Sequence, residues 1–230
     1  MFSVAIAAAL LLAAASHAQT NAPTVAPPAN GGMWVEGRHY KPVGKPQPTS
    51  VVPGKVEVLE FFSYGCPNCY AFEPVLERWE RQKPVNAVVR RVPIAWDGQR
   101  LQLARLYHTL VVLKRTDLHD EVFDHIHGKV LPLIAEDDAA AYKLQAEFAR
   151  THGVNEKAFK KAYESKAVVE MNEQARKLMY AYQIASLPTV VVNGRYFTDL
   201  TMARNETTFT ALLNDLVKME TPASGAQNAL

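Results

Sequence analysis

Cys66 and Cys69 are the only cysteines in a chain of 230 residues, three positions apart in FFSYGCPNCYAFEP, residues 61–74. Such a pair can cross-link the chain, hold a metal or carry out redox chemistry. A cross-link works chiefly by removing entropy from the unfolded chain, an effect that grows with loop length, so a two-residue loop gains little. A zinc site needs four ligands. His125 and His127 are two apart, which turns them to different sides of a helix, and His119 with His125 is no better. No metal is therefore expected.

Redox chemistry has more behind it. Val56 to Phe62 has the length and β-propensity of a strand and runs straight into the pair. Beyond it, Tyr70, Phe72, Leu76 and Trp79 recur at helical spacing, with Pro67 at the first helical position and Pro74 inside the helix. Cys66 then stands at a helix start, where unpaired N–H groups and the helix dipole favour a thiolate. Cys69, one turn in, should be more buried and less reactive. Disulfide exchange needs this asymmetry: one thiol attacks or is attacked, the other resolves the mixed disulfide.

Glu60 lies in the strand beneath the pair, on the same face as Val58 and Phe62. A buried carboxylate is costly unless paired or protonated. It can carry the proton of Cys69 through water, or pair with Arg90 or Arg91 on a neighbouring strand, and both can hold. Pro188 opens a later strand; X-Pro bonds are cis in about one case in twenty, so the residue type alone favours trans.

The elements that must position these residues follow from the patterning. A second strand runs from Val85 to Ile94, and residues 97–183 read as helical almost throughout. Asp117 is placed to cap a helix holding Val122, Phe123 and Ile126. Asp137 or Asp138 opens the next, which ends at His152-Gly153, and Asn155 caps another. A longer helix holds Val168, Ala175, Leu178 and Met179. Leu187 to Val192 is a strand, Asn193-Gly194 a hairpin turn requiring positive φ, and Arg195-Tyr196-Phe197 its return. Asn205 caps a last helix with Phe209, Leu212, Leu213 and Leu216 on one face. One α/β unit is thus split by an all-helical insertion: residues 51–96, the insertion at 97–183, then 184–220.

The N-terminus holds a continuous apolar run from Val4 to Ala15, too short to span a bilayer. Ser16-His17-Ala18 offers small residues at the −3 and −1 positions of a cleavage site, so residues 1–18 read as a signal peptide cut after Ala18. No Lys or Arg precedes the run; a short anchor or a buried helix is the alternative. Export implies an oxidising compartment. Residues 19–50 are Pro-rich and read as a linker, with 33–40 able to pack as an edge segment, and 221–230 as a disordered tail. A net charge of +2 argues against nucleic acid.

Together the motifs are specific. Glu60-Phe61-Phe62-Ser63-Tyr64-Gly65-Cys66-Pro67-Asn68-Cys69 resembles the active-site motif of the DsbA family of thiol–disulfide oxidoreductases. Leu187-Pro188-Thr189, followed by Val191-Val192-Asn193-Gly194, resembles that family's cis-proline loop and hairpin. The helical block resembles its inserted domain, and the likeness covers about residues 51–220. It implies a thioredoxin-like fold with an inserted all-helical domain and a cis Pro188 facing the disulfide. Leu187 and Pro188 then help bind substrate, and Pro67, Asn68 and Glu60 tune the couple. From the residues themselves, an exposed Tyr64 ring near Cys66 can help grip unfolded chains, with core packing as the alternative. It further implies a monomeric periplasmic enzyme without bound cofactor, which oxidises reduced, unfolded exported proteins and is re-oxidised by a DsbB-type quinone-coupled membrane protein. Two positions depart from the pattern. Asn68 stands where strong oxidants of the family usually carry His, which predicts a weaker oxidant; Leu187 stands where Val or Thr is commoner. A reductase or isomerase kept reduced has the same motif, and a chaperone-like binder of extended chains is a reading from another class. Of the other side chains, Phe72 and Met179 read as core, Trp96 as core or as the lining of a groove between domains, and the remaining histidines as solvated.

Overall fold

The structure, a computed structural model, describes residues 33–96 and 98–221. The expected signal peptide at 1–18, the first part of the linker and the tail beyond residue 221 lie outside the described residues.

The chain forms β1 (Lys41–Pro42), β2 (Val56–Phe62), α1 (Pro67–Gln82), β3 (Ala87–Pro93) and α2 (Gly98–Val112), then a run of short turns. It continues through α3 (His119–Phe123), α4 (Asp138–Thr151), α5 (Glu156–Tyr163) and α6 (Lys166–Ala181). It returns as β4 (Thr189–Val192), β5 (Tyr196–Thr198), α7 (Leu200–Ala203) and α8 (Glu206–Glu220). The strands make one sheet in the order β1-β5-β4-β2-β3, with β2 and β3 parallel and the other pairs antiparallel.

Every residue of β2 is buried, because the sheet is covered on both faces. Alternation along the strand sends Val56 and Val58 into a core with Phe72, Leu76 and Trp79 of α1 and Phe209, Leu212 and Leu213 of α8. It sends Leu59 and Phe61 into a second core with Ala175 and Met179 of α6. At the C-terminal end of β2, Phe62, Tyr64 and Cys69 join a third cluster with Leu106, Phe123, Phe148 and Phe159 of the helical segment. That cluster fastens the segment to the strand-to-helix junction carrying the cysteines.

The caps use local chemistry. Asp137 accepts from the Ala140 N–H at 2.7 Å, Asn155 from Ala158 at 3.0 Å and Asn205 from Thr208 at 2.9 Å. Asn193 and Gly194 take φ of 50° and 69°, as a two-residue hairpin turn requires. Asp117 does not cap a helix. Its carboxylate is held by Arg115 Nε at 2.9 Å, and the chain there makes a 3₁₀ turn (Thr116–Leu118), then α3, then a π turn (Asp124–Gly128).

Within the Pro-rich segment, residues 33–40 pack on the domain as the sequence allows, and the packing runs on through Val43, where a linker is expected. Trp34, Tyr40 and Val43 are buried, Trp34 donates from Nε1 to Asp215 at 2.8 Å, and Lys41–Pro42 pair with β5. Proline is compatible with an edge strand, so low periodicity concealed a packed element.

Candidate active site

α1 begins where β2 delivers it. Cys66 is its N-cap in an extended conformation, Pro67 takes the first helical position, and the Cys66 sulfur accepts from the Cys69 N–H at 3.3 Å. Both cysteines are free thiols, Cys66 partly exposed and Cys69 buried. The hydrogen bond from Cys69, joined by the Cys69 and Asn68 N–H groups, brings the Cys66 thiol down to about 6 against the opposition of partial burial. Cys69 moves the other way: its hydrogen bond to Cys66 and its burial push it far up.

The loop before β4 meets Cys66 from the side. The Leu187–Pro188 bond is cis, which corrects the trans expectation drawn from residue type and agrees with the resemblance. The Cys66 thiol lies 4.0 Å from the Leu187 carbonyl oxygen. A cavity of about 450 Å³ lies on one side of this loop, lined by Cys66, Trp96, Gln99, Leu103 and Leu187. Another of about 470 Å³ lies on the other, lined by Asn68, Phe72, Leu187, Pro188 and Thr201. Trp96 keeps 39% of its surface exposed, which favours the groove over the core as its setting.

Beneath the cysteines, Glu60 is fully buried and neither of its carboxylate oxygens accepts a hydrogen bond. Burial, reinforced by the neighbouring Glu73 carboxylate, pushes it well above the usual carboxylate range despite Arg91. Arg91, directly opposite in β3, is the partner expected for Glu60, at 3.4 Å; Arg90 binds Glu57 instead, at 2.6 Å. Arg91 also donates from Nε to Glu73 at 2.8 Å and from a terminal nitrogen to Glu80 at 3.1 Å. Glu73 is buried too, but His119 and Arg91 outweigh that burial and hold its carboxyl low. Glu73, Glu77 and Asp120 bring ligand atoms within 4.8 Å of one another, with Arg91 and His119 already against Glu73.

A chain-wide comparison decides the family. A model of the DSBA-like thioredoxin domain matches residues 57–213. The chain belongs to the DsbA family. Among DsbA relatives, thiol:disulfide interchange protein DsbA of Bordetella parapertussis is 37% identical over 196 residues, 85% of this chain and 88% of that one. DsbA of Pseudomonas aeruginosa PAO1 is 33% identical over 192 residues, 83% and 88% of the two chains. The crystal structure of P. aeruginosa DsbA superposes with a TM-score of 0.73 at 34% identity, covering 81% of this chain and 94% of that one. NmDsbA1 of Neisseria meningitidis gives 0.68 at 28%, covering 82% and 96%. The fold is thioredoxin-like with a helical insertion, as in these DsbA structures, and the chain is a thiol–disulfide oxidoreductase.

The DsbA site gathers most of the residues singled out in the sequence. Cys66, Pro67, Asn68, Leu187 and Pro188 meet at one surface, with Cys69 and Glu60 below it. Tyr64 is a correction. Its ring is 1% exposed and its hydroxyl is hydrogen-bonded with His119 Nδ1 at 2.8 Å, so it cannot offer a side-chain surface to substrate. Of the remaining histidines, His108 corrects the solvated reading, since it is buried; His119 is buried too. Glu73 was missed. It sits on the apolar face of α1, where only the pairing of β3 with β2 brings it a cation.

Proposed function

We propose that this protein works in the periplasm, after cleavage behind Ala18, as a monomeric donor of its Cys66–Cys69 disulfide to reduced, unfolded exported proteins. A substrate thiolate attacks the Cys66 sulfur, the Cys66–Cys69 bond breaks, and the Cys69 sulfur leaves and takes a proton. A second substrate thiolate then attacks the substrate sulfur of the mixed disulfide and expels Cys66 as a thiolate. Two electrons pass from the substrate dithiol to the cysteine pair. The asymmetry of the two thiols carries this reading: Cys66, brought to about 6, is a good leaving group, while Cys69 retains a proton. Glu60, kept protonated by burial, supplies that proton through water.

The substrate backbone lies against the Leu187–Pro188 loop by strand-like hydrogen bonds, its side chains entering the two flanking cavities. No bound cofactor takes part. A DsbB-type quinone-coupled membrane protein returns the dithiol to the disulfide.

Equilibrium titration of the pair in glutathione buffers, read by alkylation of the two thiols, tests the direction of transfer. The expected potential lies above the glutathione couple, and Asn68→His is expected to raise it further. A potential near that of thioredoxin would make the protein a reductase or isomerase and overturn the donor reading, leaving the family and fold intact.

A further inference from the structure

Asn68 brings no charge to the helix turn that contains Cys66, yet the thiolate has a candidate cation from elsewhere in the fold. The π turn at 124–128 directs His127 out of the helical insertion and onto the strand-to-helix junction. Its Nε2 lies 2.8 Å from the carbonyl oxygen of Tyr64, two residues before Cys66. A carbonyl only accepts, so Nε2 carries the hydrogen and Nδ1 is left to take up a proton. The ring stacks on Tyr70, the residue after Cys69, with centroids 5.1 Å apart and planes 17° from parallel. Tyr70 is itself fixed by donating its hydroxyl to Asp124 Oδ1 at 3.1 Å. The imidazole is thus bolted to the cysteine-bearing segment on both sides of the pair, although it belongs to the insertion. His125, two residues away, turns instead onto Phe148.

We propose that His127 is the electrostatic partner of the Cys66 thiolate, and that its protonation makes the oxidising strength of this protein depend on pH. The charge of His127 adds to the hydrogen bonds from Cys69 and Asn68 that lower the Cys66 titration, and is the smallest of these contributions. Facing the ring are the neutral Tyr64 carbonyl from the loop before α1, Tyr70 from α1 and the apolar Phe123 from α3; Asp124 holds the Tyr70 hydroxyl, and His125 and Lys129 are neighbours along its own segment. Imidazole is the side chain that changes charge between about pH 5 and 8. The imidazolium favours the thiolate, hence the reduced form, hence donation of the disulfide. Linkage is reciprocal: reduction of the disulfide must raise the affinity of His127 for its proton. The proposal rests on Cys66 being the exchanging thiol.

Three chains decide it: wild type, His127→Gln, which keeps a donor for the Tyr64 carbonyl without the charge, and His127→Lys, which keeps a charge. The Cys66 titration is followed by thiolate absorbance and the potential by glutathione titration at several pH values. In His127→Gln the equilibrium with glutathione is expected to shift about three- to tenfold toward the disulfide near pH 6.5, as for a screened charge pair. The shift should vanish in alkaline buffer, where the imidazole is neutral, and His127→Lys should restore the wild-type value. The NMR titration of the His127 ring should move to higher pH on reduction. An unchanged Cys66 titration and potential in His127→Gln, or a His127 ring that titrates alike in both redox states, would overturn the proposal. Exchange activity in wild type would then still stand, so the two readings fail separately.

Discussion

Glu60 and Arg91 stand directly opposite each other in the parallel pair β2–β3, with Arg91 Nε 3.4 Å from a Glu60 oxygen that accepts no hydrogen bond. The guanidinium serves Glu73 and Glu80 as well, so one cation is divided among three carboxylates. Glu60, the most buried of them, is the one whose carboxyl burial pushes up.

This has a consequence for stability. Folding raises the titration of Glu60 above its ordinary 4.5, so the folded state holds this proton more tightly than the unfolded chain. Its contribution is complete below that value and is lost as pH rises through the folded-state titration. In the oxidised protein, where the thiols do not titrate, Glu60→Gln is expected to flatten the decline seen by urea unfolding from pH 4.5 upward. Glu60→Leu should stabilise by about 1–4 kcal/mol while slowing disulfide donation.

Alkylation of the reduced protein should separate the two thiols. Labelling of Cys66 is expected to be half-maximal near pH 6, with Cys69 unmodified in the native state, as read by mass spectrometry. Because folding lowers the Cys66 titration from 9 to about 6, the reduced protein should gain stability as pH rises across that interval. Cys66→Ser with Cys69→Ser should keep the fold and lose exchange; retained function would indicate a binding module.

Trp96 offers its exposed ring to the groove beside Cys66. Trp96→Ala is expected to weaken binding of an extended peptide by about 1–2 kcal/mol, read as a higher KM, with kcat little changed. Equal loss in kcat would mean that the ring acts on the reacting sulfurs.

The segment before β2 should matter for stability. Trp34→Ala is expected to cost about 3 kcal/mol through lost packing and the lost bond to Asp215, measured by denaturant unfolding. Gly194→Ala should cost at least about 2 kcal/mol: φ is +69°, and a Cβ there would collide with the Gln47 carbonyl oxygen of the same segment. If neither variant lowers the midpoint, the segment does not belong to the cooperative core.

Local rules carried much of this protein in the sequence. The reactive pair, the helix start that polarises it, the caps at Asp137, Asn155 and Asn205, and the Asn193-Gly194 turn each depend on a few neighbouring residues. The cis bond at Pro188 came only from resemblance, because residue type favours trans in any X-Pro pair. What required tertiary structure was the placement of distant groups. Tyr64 looked like a surface ring until His119 covered it, and Glu73 like another helix carboxylate until β3 brought Arg91 to it. The Pro-rich segment lacks periodicity because an edge strand needs none, and only β5 shows where it pairs. His127 reaches the junction through a π turn, a break in helical spacing for which the sequence carries no periodic signal. Hydrogen bonds and burial between residues far apart in the chain depend on how layers pack, and that is settled by the whole fold at once.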